Sequence, residues 1–70
     1  MKLTKLTKQE FHDTQYNNRP LGAFYYIQEL DEKTFIFHGL IITNRYQLFA
    51  EFTRFDDLEN WVKQETPSLL

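Results

Sequence analysis

Cysteine is absent from this sequence of 70 residues. That excludes a disulfide staple and any cysteine-based metal site. Glycine is scarce: Gly22 and Gly39 alone cannot build a glycine-rich phosphate loop. No apolar run approaches the ~20 residues of a membrane span. The opening MKLTKLTKQEFHD has lysines but no apolar core, so it does not read as a signal peptide. The expected location is cytoplasmic, and the lack of cysteine agrees with a reducing compartment. A strong charge of one sign is lacking too. The net charge is −2, which argues against nucleic acid as the first choice of partner. The first twenty residues are mildly basic, with Lys2, Lys5, Lys8 and Arg19 against Glu10 and Asp13. The last twenty are mildly acidic, and no block of like charge occurs.

Apolar and aromatic residues are plentiful. The hydrophobic fraction is 41% and the aromatic fraction 17%, values of a folded globule rather than a disordered chain. One domain is expected from the length, over residues 1–65, with a flexible tail at 66–70. A core this small rarely supplies more than about 3–5 kcal/mol. Self-association or a partner is a common source of further stability.

Local signals set the order of elements. In LTKQEF, Thr7 caps a helix and Glu10 reaches back three residues to form a capping box. Leu6 and Phe11 flank the cap as a hydrophobic staple. The helix is expected from Lys8 to about Gln15, preceded by a short extended arm, and Pro20 pushes Arg19 out of helical geometry. GAFYYIQEL reads as a strand, residues 31–33 as a turn, and Thr34 to about Thr43 as a second strand. Asn44-Arg45 is the expected hairpin loop, followed by a third strand from Tyr46 to about Thr53. FDDLENWVKQE is the second helix, with Asp56 as its expected cap and Asp57 in its first turn. Phe55, Leu58, Trp61 and Val62 make its apolar stripe.

The hairpin is apolar on both faces. With Asn44-Arg45 as the loop, Ile41 pairs with Leu48, Gly39 with Ala50 and Phe37 with Phe52. That face carries Phe35, Phe37, Ile41, Tyr46, Leu48 and Phe52, and the small Gly39–Ala50 pair leaves a notch for a helix side chain, Trp61 above all. The other face pairs Ile42 with Gln47, Leu40 with Phe49 and His38 with Glu51, with Ile36 beyond. The first strand adds either Tyr25 and Ile27 or Phe24 and Tyr26 to it, since a one-residue slip exchanges the two sets. Burying its four large apolar side chains would contribute at most about 6–12 kcal/mol, comparable to the whole stability of a small domain. A contiguous patch of that size reads as an interface. Two other arrangements compete: one helix on each face, or a different register with a narrower apolar side.

Candidate chemistry is thin. His38 opposite Glu51 is a His–carboxylate pair of the kind that serves a general base, yet cross-strand pairs of this type are commonly plain polar contacts. Two isolated histidines, His12 and His38, fall short of the three or four ligands of a metal site. Asp31-Glu32 and Asp56-Asp57 lack calcium-loop spacing. Tyr25, Tyr26, Tyr46 and Phe49 could stack on unpaired bases, with Lys33, Arg45 and Arg54 near phosphates. The element order resembles that of the double-stranded-RNA-binding domain, but Asp56 and Asp57 stand where that family places phosphate-gripping lysines. No residue role is carried over.

The sequence thus predicts an α+β domain with a three-stranded antiparallel sheet and both helices on one face. It predicts no enzyme, no cofactor and no metal. The expected function is a small protein-interaction module, of regulator or inhibitor type. Ile36, His38, Leu40, Ile42, Gln47, Phe49 and Glu51 form its partner-binding face. A homodimer is the simplest form, since a self-complementary patch buries itself. A nucleic-acid binder using the sheet tyrosines and the basic N-terminal third is the alternative.

Overall fold

The computed structural model describes residues 2–17 and 20–66. The elements run β1 (Leu3–Lys5), α1 (Lys8–Tyr16), β2 (Gly22–Asp31), β3 (Thr34–Ile42), β4 (Gln47–Phe52) and α2 (Phe55–Glu65). The strands form one sheet in the order β1-β2-β3-β4. The α+β class is as expected, but the sheet is four-stranded and mixed, not three-stranded and antiparallel. The residues expected to form an extended arm are β1, which pairs parallel with β2, Leu3 against Ala23 and Lys5 against Tyr25. Three residues are too short to show strand periodicity, and a parallel partner lies a whole helix away along the chain.

α1 forms where its local chemistry directs. Thr7 Oγ1 accepts from the Glu10 N–H at 3.1 Å, and Glu10 Oε1 accepts from the Thr7 N–H at 2.9 Å. Both arms of the capping box are closed. α2 spans the expected residues, but its N-cap is Arg54, which makes no side-chain capping bond. Asp56 lies inside the first turn beside Asp57, where the helix dipole favours both. Phe55, the first helical residue, joins the stripe: its ring centroid lies 5.4 Å from that of Tyr25 and 5.9 Å from that of Phe37.

The β3–β4 register matches the sequence reading pair for pair, from Ile42–Gln47 to Phe37–Phe52. Between β2 and β3, Phe24 pairs with Leu40 and Tyr26 with His38, so Phe24 and Tyr26 share the face of Leu40 and Ile42. Register shifts between Glu29 and Asp31 at the turn. There the Asp31 carboxylate accepts from the Lys33 N–H at 2.9 Å. That bond, with help from Thr34, holds its pKa below the usual value.

The helices lie on opposite faces, which corrects the expectation of both on one. α1 packs Phe11, with Leu6, on Tyr26, Leu40, Ile42 and Phe24. α2 packs Leu58, Val62, Trp61 and Phe55 on Ala23, Ile41, Phe37, Leu48 and Phe52. Since both faces of the sheet are apolar, one helix on each removes more apolar surface from water than two on one. The Gly39 notch receives α2: a Cβ there would lie 2.7 Å from both Leu58 Cδ1 and Trp61 Cζ3. Thr66, expected at the start of the tail, is buried and donates its hydroxyl to the Val62 carbonyl. The remainder of the expected tail, 67–70, lies outside the described residues.

Candidate functional site

α1 divides the expected binding face. Leu40 and Ile42 are 0% and 1% exposed beneath Phe11, so they belong to the core and do not face a partner. Gln47 is also engaged, its Nε2–H donating to the Gln15 carbonyl at the end of α1 at 3.1 Å. Phe49 and Glu51 stay exposed, whereas Ile36 and His38 are half-buried, the His38 side chain 17% exposed. The correction follows from the helix placement. A short helix with one buried residue, Phe11, covers Leu40 and Ile42 of β3 and leaves Phe49, the β4 partner of Leu40, exposed.

At the open end the key side chain is Phe49, 55% exposed on the outermost strand. Beside it lies a hollow of about 250 Å³ lined by Phe11, His38, Gly39, Phe49, Ala50 and Glu51. His38 forms its polar wall. The ring stacks on Tyr26 with centroids 4.5 Å apart and planes 9° from parallel. Its Nε2 lies 2.7 Å from Gln28 Oε1, and its Nδ1 lies 3.5 Å from Glu51 Oε1. The sequence pairs His38 with Glu51 correctly. It misses Tyr26 and Gln28, which come from β2, whose facing set depends on one residue of register. Glu51 is largely solvent-exposed at 71% of its side chain.

The imidazole is thus clamped on three sides by an aromatic face, an amide and a carboxylate. This fixes its orientation and offers a mixed polar–apolar wall rather than a nucleophile–base pair. Among the described residues no cluster of three His, Asp or Glu could hold a metal ion. No buried side-chain polar atom among them lacks a hydrogen-bond partner. No helix among them is long and apolar enough to cross a membrane.

A second hollow, of about 440 Å³, lies on the α2 face and is lined by Lys33, Phe35, Phe37, Arg54, Phe55 and Asp56 among others. It is a broad groove between the β2–β3 turn and the start of α2. The aromatic residues considered for base stacking are dispersed: Tyr25 packs against Phe55, Tyr26 is buried between Phe11 and His38, and Tyr46 and Phe49 are exposed.

No protein-family model matches the chain, and neither a curated protein nor a solved structure is significantly similar to it.

Proposed function

We propose that this protein is a small, non-enzymatic interaction module of regulator or inhibitor type. It binds a protein partner, or a second copy of itself, through the open end of the α1 face: Ile36, His38, Phe49 and Glu51. The observation that carries this reading is Phe49, a large aromatic side chain 55% exposed beside a hollow with one polar wall. An exposed aromatic anchor next to a rigidly held polar group is the composition of an interface centre. Covering it would add apolar burial that a domain of this size can use.

Substitution Phe49→Glu tests the reading. Phe49 sits outside the core clusters, so the variant is expected to keep its fold, with circular dichroism and thermal unfolding near wild type. Its association, read by sedimentation at micromolar concentration, is expected to fall by about tenfold or more. A variant that unfolds would place Phe49 in the core. A folded variant that associates as wild type does would remove Phe49 from the interface.

Nucleic acid is the weaker proposal. Tyr25 and Tyr26 are committed to packing on opposite faces, so they offer bases no common platform. A gel shift at about 50 mM salt, where phosphate contacts are strongest, is expected to show no complex.

A further inference from the structure

Resting on the reading of this end of the sheet as an interaction surface, we propose that β4 is a self-pairing edge. Two copies join antiparallel through β4, with Phe49 opposite its own counterpart, and make one continuous sheet.

The main-chain geometry comes first. The Thr43 N–H donates to the Tyr46 carbonyl at 2.9 Å, which closes the β3–β4 hairpin on a hydrogen-bonded pair. Bonded and non-bonded pairs alternate along an antiparallel ladder. In the observed register Ile41–Leu48, Gly39–Ala50 and Phe37–Phe52 are then bonded pairs, and Ile42–Gln47, Leu40–Phe49 and His38–Glu51 are not. The N–H and C=O groups of Gln47, Phe49 and Glu51 therefore point away from β3. β4 is the last strand of the sheet, so these groups face its open edge.

Among the described residues that edge is lightly guarded. β4 contains no Pro and no Lys, and its pairing with β3 has no register shift. The opposite side of the sheet is blunted: β1 covers Ala23 to Tyr25, and beyond it β2 carries Glu29, Asp31 and a register shift. Charge, a bulge and a short covering strand are the usual protections of an edge; the β2 side has all three, whereas β4 has only the charge of Glu51.

The occupant follows from charge. Arg45 stands before β4, and Glu51 lies near its far end. Antiparallel self-pairing brings these opposite charges together twice, once on each side of the two-fold axis. With Phe49 against Phe49, Gln47 falls opposite the second copy's Glu51. Arg45 is then the diagonal neighbour of that carboxylate, within reach of a long side chain. Both residues are exposed, and Arg45 makes no ion pair among the described residues. The same register sets Tyr46, 47% exposed, opposite the second copy's Phe52. It forms about six intermolecular main-chain hydrogen bonds. A register centred on Glu51 would instead oppose two carboxylates.

The test uses the full chain, with sedimentation velocity from about 1 to 100 µM in about 50 mM salt. Arg45→Glu and Glu51→Arg are each expected to weaken the dimer about tenfold, because each turns two attractions into repulsions. An equimolar mixture of the two variants is expected to recover wild-type affinity as a heterodimer seen by native mass spectrometry, since both arms again join opposite charges. Glu51→Pro removes an edge N–H that β3 does not use; it is expected to abolish the dimer without changing the unfolding temperature by more than a few degrees. A dimer indifferent to all three substitutions but lost in Phe49→Glu would overturn the edge pairing and keep the face as the interface. A strict monomer at 100 µM would also overturn it, leaving the surface to a different protein.

Discussion

Gly39 shows how one small residue places a helix. It lies in a strand of otherwise large side chains, and the space above it is filled by Leu58 and Trp61 of α2. Gly39→Ala would set a methyl group 2.7 Å from both side chains. The expected cost is about 1–3 kcal/mol, as for overpacking elsewhere. Thermal unfolding should register it at about 4–8 °C per kcal/mol for a domain of this size. An unchanged melting temperature would mean that α2 shifts without penalty. The notch was legible in the sequence, because Gly39 pairs with Ala50 once the hairpin loop is placed. The surroundings of His38 were half legible. Glu51 follows from the same hairpin, whereas Gln28 and Tyr26 depend on how β2 is registered, and no residue of the Asp31–Lys33 turn settles that in advance.

At the scale of elements, α1 owes much of its definition to its cap. It has nine residues and one buried side chain, Phe11, so tertiary packing holds it at few points. Thr7→Ala removes the acceptor for the Glu10 N–H and is expected to cost about 1 kcal/mol. Hydrogen exchange should show the loss first in the amides of the first turn, with β3 little affected. Equal loss of protection throughout would mean that α1 and the sheet open as one unit. Capping signals were readable because they span four neighbouring residues. The cap of α2 lies two residues before the expected Asp56 for the opposite reason: Asp56 satisfies a local rule, but Phe55 packs within the helix against Tyr25 and Phe37 of other strands. β1 was missed because nothing in Leu3–Lys5 distinguishes a strand from an arm until β2 is beside it.

At the scale of the whole molecule, the sheet is a shared floor between two small cores. Leu40 and Ile41 are neighbours in sequence, both 0% exposed, and they serve opposite faces. Leu40→Ala is expected to cost about 2–5 kcal/mol, a large part of the stability of a domain this small. Chemical denaturation would read it directly; a loss below about 1 kcal/mol would mean that α1 does not seal its face. Phe49, two pairs from the loop on the same face, lies beyond the helix and is exposed. The contrast between these paired residues marks the border between core and candidate surface.

What the sequence determined by itself is what short-range chemistry encodes: the capping box of α1, the apolar stripe of α2, the hairpin loop, and through it each partner from Ile42–Gln47 to Phe37–Phe52. What only the tertiary structure decided is which side each helix takes, that Leu3–Lys5 closes the far edge, and how much of the second face stays open. The reason is physical. Both faces of the hairpin are apolar, so hydrophobic pattern alone attracts a helix to either one with similar strength. The choice is made by chain connectivity and by the joint burial of residues distant in sequence, Phe11 on Leu40 and Leu58 on Ile41, quantities that no local window contains.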